Sequence, residues 1–186
     1  MPKKNKKENI KTTISYQGTV KIQSVKGGKV YKEKTVHNSG TADLFRYIAN
    51  CVIGNYNQTL MPRYVHVFIC DNPESKLLNE NDMPDLWTNS VCALNVPYST
   101  VQVRQDTSSS STIEKPYISE FTFMIPYSQI QDSFNVVCLY NVTSFGRTTT
   151  PLAYIILDEP YEVESSNTSN IVITWEMKIC NQEISV

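Results

Sequence analysis

The chain has 186 residues, 40% of them hydrophobic and 19% charged, with a formal net charge of −1. That length suits one domain, able to bury roughly 70% of the surface its unfolded form exposes without help from disulfides or metal. The composition excludes a disordered chain, and no apolar run approaches the ~20 residues of a membrane-spanning helix.

The charge is unevenly spread. Lys3, Lys4, Lys6, Lys7 and Lys11 against Glu8 give the first eleven residues a sum of +4, leaving −5 for the rest. Residues 1–12 read as a basic flexible arm, free to contact nucleic-acid phosphates through those five lysines, on a mildly acidic single domain, 13–186. Nothing at the N-terminus reads as a signal peptide, so Cys51, Cys70, Cys92, Cys138 and Cys180 are expected as unpaired thiols in a reducing cytoplasm.

In chain order, Ile14, Tyr16, Gly18, Val20 and Ile22 share one side of a period-2 strand. Gly27-Gly28 supplies the positive φ values of a tight hairpin, and Val30 to Val36 forms the returning strand. Lys32 and Lys34 interrupt its apolar face, as at a protected edge. Asn38, Ser39 and Thr41 then offer N-cap oxygens to a helix whose stripe is Leu44, Phe45, Ile48, Cys51 and Val52, with Gly54 after its end. Tyr64 to Cys70 is apolar on both sides, as in a strand buried on both faces.

A long polar excursion follows, about 71–88, with Leu77, Leu78, Leu86 and Trp87 embedded as candidate contact residues. Val91 to Val96, Thr100 to Gln105, Tyr117 to Ile125, Phe134 to Val142, Leu152 to Leu157 and Ile171 to Cys180 complete the strands. In the last, Ile171, Ile173, Trp175, Met177 and Ile179 face one way, and Thr174, Glu176 and Lys178 the other. The expected fold is all-β: an antiparallel two-sheet sandwich, Ig-like or jelly-roll-like, with one short helix in the N-terminal third.

Chemistry is sparse. His66 lies in an apolar strand and reads as a satisfied core residue. His37, at a strand-to-helix junction, reads as a turn residue. No nucleophile motif or zinc spacing accompanies either. Asp71, Asn72, Glu74, Glu80, Asn81 and Asp82 are rich in oxygen but match no calcium cage. No catalytic, cofactor or metal residue is therefore assigned, and no enzyme activity, cofactor or small-molecule substrate is expected.

Two stretches carry a resemblance. His37-Asn38-Ser39-Gly40-Thr41, with Leu44-Phe45, Ile48-Ala49 and Val52-Ile53-Gly54, is similar to a turn-and-helix pattern near the N-terminus of tailed-bacteriophage virion proteins. Ala153-Tyr154-Ile155, Asp158-Glu159-Pro160 and Ile171 to Glu176 resemble the end of such proteins, which form neck, ring, tail or fibre-base parts, including in crAss-like phages. The resemblance covers both ends and not the middle, from about Asp71 to Thr112. It implies a structural protein of the virion, made in the bacterial host cytoplasm, whose partners are itself and other virion proteins, with no membrane. Two alternatives are a jelly-roll capsid protein with a nucleic-acid-contacting arm and a carbohydrate- or receptor-binding module.

Overall fold

The computed structural model describes residues 10–52, 62–68, 96–107, 117–130, 133–141 and 151–185. The strands are β1 (Ile10–Lys26), β2 (Lys29–Gly40), β3 (Tyr64–Phe68), β4 (Val96–Gln105), β5 (Tyr117–Pro126), β6 (Ser133–Tyr140), β7 (Ala153–Glu162) and β8 (Asn170–Ser185), with one α-helix, α1 (Ala42–Val52). All eight strands close into one ring, β1-β2-β7-β6-β3-β4-β5-β8, and every neighbouring pair is antiparallel.

The all-β, antiparallel character and the single small helix match the expectation. The two-sheet sandwich does not emerge as such, because backbone pairing carries across both junctions. Five strands, β2-β1-β8-β5-β4, form one half and β7-β6-β3 the other. The halves meet at two thin seams of two residue pairs each: Ser39↔Tyr154 with Gly40↔Ala153, and Tyr64↔Pro97 with Val65↔Val96.

Alternation explains why the ring closes. Val20 and Ile22 on β1, Phe121, Phe123 and Ile125 on β5, and Ile171, Ile173 and Trp175 on β8 all point inward and are buried. An eight-stranded barrel encloses a space just wide enough for side chains, so these residues fill it. β3 and β6 are buried on both faces, with Val65, His66, Val67 and the run from Val136 to Tyr140 each at most 5% exposed. That fits the doubly apolar sequence of Tyr64 to Phe68.

The turn between β1 and β2 is Gly27 (φ 56°) and Gly28 (φ 76°), both in the left-handed region that a two-residue hairpin of this twist needs. α1 closes one end of the ring by inserting fully buried Leu44 into the core. A short 3-10 turn at Tyr127–Gln129, followed by buried Ile130, closes the other.

Some local expectations need correction. Thr41 does not cap α1 with its hydroxyl. Its Oγ1 lies 2.6 Å from the Pro151 carbonyl and 3.0 Å from that of Leu152, while its N–H donates to Leu152 O at 3.0 Å. It staples the first seam instead. Phe45, expected in the buried stripe, is 52% exposed and meets the Tyr16 ring edge-on at 6.4 Å.

Lys32 and Lys34, by contrast, do stand at an open edge as expected, since β2 pairs with β7 only at Ser39 and Gly40. Where the β2/β7 ladder opens, their ammonium groups donate to the carbonyls of Glu162 (3.1 Å) and Glu159 (3.5 Å). They thereby satisfy acceptors that the interrupted ladder leaves unpaired. β7 runs on through Pro160 because its register against β6 breaks between Phe134 and Val136, and a proline is tolerated in such a bulge. β1 begins at Ile10, so residues 10–12 of the expected arm, Lys11 included, are strand, with Lys11 opposite Ile184.

Three phenols are built into this frame. Burial pushes the hydroxyls of Tyr140, Tyr16 and Tyr161 above the usual value of 10.0, Tyr140 well above it. A folded-state value raised above the unfolded one contributes stability that is complete below about pH 10 and is lost as pH rises through the higher values. Alkaline titration followed by tyrosinate absorbance should show these phenols ionising together with unfolding. Tyrosinate absorbance that saturates while the circular dichroism is still native would contradict this.

Candidate functional site

A groove of about 710 Å³ lies on the outer face of the five-strand half, reaching from β2 to the end of β4. Register places its side chains in rows across the strands. His37 lies opposite Thr19, Thr19 opposite Glu176, and Glu176 opposite Glu120; Gln17 lies opposite Lys178, Lys178 opposite Ile118, and Ile118 opposite Arg104.

The charges in these rows hold one another. Arg104 donates to Glu176 Oε1 at 2.5 Å and to Glu120 Oε2 at 3.4 Å, and Gln102 donates to Glu120 at 2.6 Å. Lys178 Nζ is 2.6 Å from Asp106 Oδ2, whose side chain is only 4% exposed. β4 therefore clasps β8 twice over the intervening β5. Exposed pairs such as Arg104–Glu176 contribute little to stability. The sheltered Asp106–Lys178 pair fixes where β4 ends, since a buried carboxylate without its partner costs several kcal/mol.

Beneath the groove, inside the ring, sits a small polar cluster. Asn38 Nδ2 donates to the Tyr16 hydroxyl at 2.6 Å, and the Asn38 amide lies directly over Gly18. Asn38 Oδ1 and Trp175 Nε1 are buried without a hydrogen-bond partner. The indole nevertheless lies close enough to the Tyr16 hydroxyl to favour its ionised form, as the Asn38 bond does, both against the larger opposing effect of burial.

At the other end a smaller hollow of about 240 Å³ is lined by Ser24, Tyr31, Lys32, Glu162, Glu164, Asn167 and Thr168. The Tyr161 hydroxyl there bonds Ser24 Oγ (3.1 Å) and Lys32 O (3.2 Å), and the Lys32 ammonium stands 4.5 Å from the Tyr161 ring centroid. This corner fills the gap where β2 and β7 part.

The hairpin β4–β5 carries a different surface. Val101 lies opposite Phe121 and Val103 opposite Ser119, so both share the face that lines the core further along, as does Tyr117. Yet Val101 is 46%, Val103 67% and Tyr117 64% exposed. The tip of the hairpin therefore presents an apolar inner face beyond the packed core.

Of the residues singled out by sequence, Leu77, Leu78, Leu86 and Trp87 lie outside the described residues, as do Lys3, Lys4, Lys6 and Lys7, the oxygen-rich stretch Asp71 to Asp82, and Cys70 and Cys92. His66 is buried against the Tyr140 ring (6.3 Å, edge-on), in keeping with a core role. His37 lies at the rim of the large groove. Cys138 is buried and in no disulfide. Among the described residues no group of three His, Cys, Asp or Glu side chains is placed to hold a metal ion, and no helix is long and apolar enough to cross a membrane. Sequence reasoning missed the exposed apolar hairpin tip, because alternation marks Val101 and Val103 as core-facing without revealing that the core ends before them.

No family model, no curated protein and no solved structure matches this chain.

Proposed function

We propose that the chain is a non-enzymatic structural component of a bacteriophage particle, of the neck, tail-ring, adaptor or fibre-base kind, acting by self-assembly and docking to other virion proteins. The observation that carries the docking part is the exposed apolar face of Val101, Val103 and Tyr117. Apolar side chains gathered on a rigid hairpin favour a protein partner, since burying them contributes roughly 25 cal/mol per Å². The groove supports the same reading, because its arginine, its lysine and the carboxylates facing them are engaged with one another. Outward Lys21, Glu120, Glu176 and Lys178 offer lipid no apolar band, which favours protein neighbours over a membrane. The finer architecture we favour is a flattened ring whose two halves act as the layers of a sandwich. The phage setting rests on the resemblance of the two sequence stretches.

Mass spectrometry of particles purified from infected host cells tests the reading. The chain should be present in fixed stoichiometry, and a Val101→Ser, Val103→Ser, Tyr117→Ser triple variant should be incorporated several-fold less while its melting curve moves little. Absence from particles, or turnover of a small substrate by the purified protein, would overturn it.

A further inference from the structure

The hollow where β2 and β7 part measures about 240 Å³. That is below the roughly 300–1,000 Å³ of a site for a drug-sized molecule, so it suits one small unit. Its walls come from fixed elements: Ser24 on β1, Tyr31 and Lys32 on β2, and the turn that joins β7 to β8. Four hydrogen bonds pin that turn. Asn167 N–H donates to Glu164 O (3.1 Å), Ser169 N–H to Val25 O (2.8 Å), Tyr127 N–H to Ser169 O (2.9 Å) and the Lys26 ammonium to Ser166 O (2.7 Å). A wall held in this way loses little freedom when a ligand arrives, which favours binding.

One group in the wall is left over. Thr168 lines the hollow at 4% exposure, yet its Oγ1 has no hydrogen-bond partner. Ser24, equally buried, is taken up by the Tyr161 hydroxyl at 3.1 Å. The large majority of buried hydroxyls are bonded, so an orphan beside a cavity marks a place that a polar group completes.

The lining also selects a chemistry. The Lys32 ammonium opposes a cation, and among the described residues no three His, Cys, Asp or Glu side chains gather to hold one. Glu162 and Glu164 oppose an anion. An apolar molecule would strand the carboxylates, the Asn167 amide and the hydroxyls. A neutral molecule rich in hydroxyls meets none of these objections. Each hydroxyl donates and accepts at once, matching a wall of mixed donors and acceptors. Tyr31 adds an aromatic ring, 47% exposed, against which the apolar C–H face of a sugar can pack.

We propose that this hollow binds one uncharged sugar ring, either free or as the end unit of a glycan. The ring rests on Tyr31 and bonds Glu164, Asn167 and Thr168. This function is additional to self-assembly and independent of the phage setting.

Nuclear magnetic resonance titration of the isotope-labelled whole chain with glucose, galactose, mannose, rhamnose and N-acetylglucosamine tests it. At least one sugar should saturate with a Kd on the order of 1–10 mM, ordinary for a ligand of about a dozen heavy atoms. The amides that shift should lie in residues 24–32 and 161–169. Tyr31→Ala, at an exposed position, should weaken binding about fivefold and leave the melting curve unchanged. Thr168→Val should weaken it roughly tenfold while the melting temperature holds or rises, since the lost hydroxyl had no bond in the free protein. A glycan array separates the two sources. Retention on spots that end in the responding sugar means a terminal unit, and bare spots mean the free sugar.

No saturable response to any of the five sugars at about 100 mM overturns the proposal. Shifts outside the hollow, or binding that survives both substitutions, overturn it too. A melting temperature lowered by Thr168→Val would show the hydroxyl already spent inside the fold, and the site would lose its basis.

Discussion

Replacing Trp175 by alanine should lower the unfolding free energy by about 3–5 kcal/mol, the range for truncating a large buried aromatic side chain. Trp175 is fully buried on β8, opposite Val20 of β1 and Phe121 of β5, at the centre of the five-strand half. Three strands pack on that one indole, and a rigid closed ring relaxes little around a void of its size. Domains are stable by only about 5–15 kcal/mol, so the variant should stand near its folding limit. Trp175→Phe should cost far less, about 1–2 kcal/mol, because Nε1 makes no hydrogen bond that the replacement would strand. Urea denaturation of the three proteins measures both differences. A Phe variant as unstable as the Ala variant would show that the indole N–H matters in a way its unpartnered state does not predict.

The sequence disclosed the parts of this fold that depend on alternation and little that depends on register. Ile171, Ile173, Trp175 and Met177 face the core as their spacing required, and Gly27-Gly28 makes the expected turn. Lys32 and Lys34 guard the open edge of β2 as their place in the sequence suggests, but only the partner strand reveals that they bond Glu162 and Glu159 carbonyls about 130 residues away. The strand expected to end at Leu157 runs on to Glu162, because a proline such as Pro160 can be placed in a ladder only once the position of the bulge is known.

The groove was legible only in halves. Glu176 and Lys178 were visibly on a wet face, but their partners Arg104 and Asp106 lie 72 residues away in each case. Nothing short of the β4–β5–β8 register could join them. The apolar hairpin tip failed for the opposite reason, since period-2 patterning gives a side chain its face and says nothing about how far the core extends along the strand.

Gly18 gives the second large effect, and it too is a matter of register. Opposite it on β2 stands Asn38, whose amide fills the space a side chain at position 18 would need. An added Cβ would overlap Asn38 Oδ1 and Cγ outright, so Gly18→Ala must expel the amide. The Tyr16 hydroxyl then loses its 2.6 Å bond in a sheltered place, a loss of about 1–2 kcal/mol, and moving the expelled side chain costs more. Gly18→Ala should therefore destabilise by about 2 kcal/mol and Asn38→Ala by about 1 kcal/mol. The double variant should cost less than their sum, because a methyl group at position 18 fits once Asn38 is truncated. Strict additivity would show that the two residues do not share this space. Titration supplies a reading that packing alone does not move. Burial raises the Tyr16 value and the Asn38 bond lowers it, so Asn38→Ala should shift Tyr16 ionisation to still higher pH. Tyr16 keeps its place beside α1 in that variant, so a shift in the other direction would mean that solvent, not the missing amide, governs the phenol.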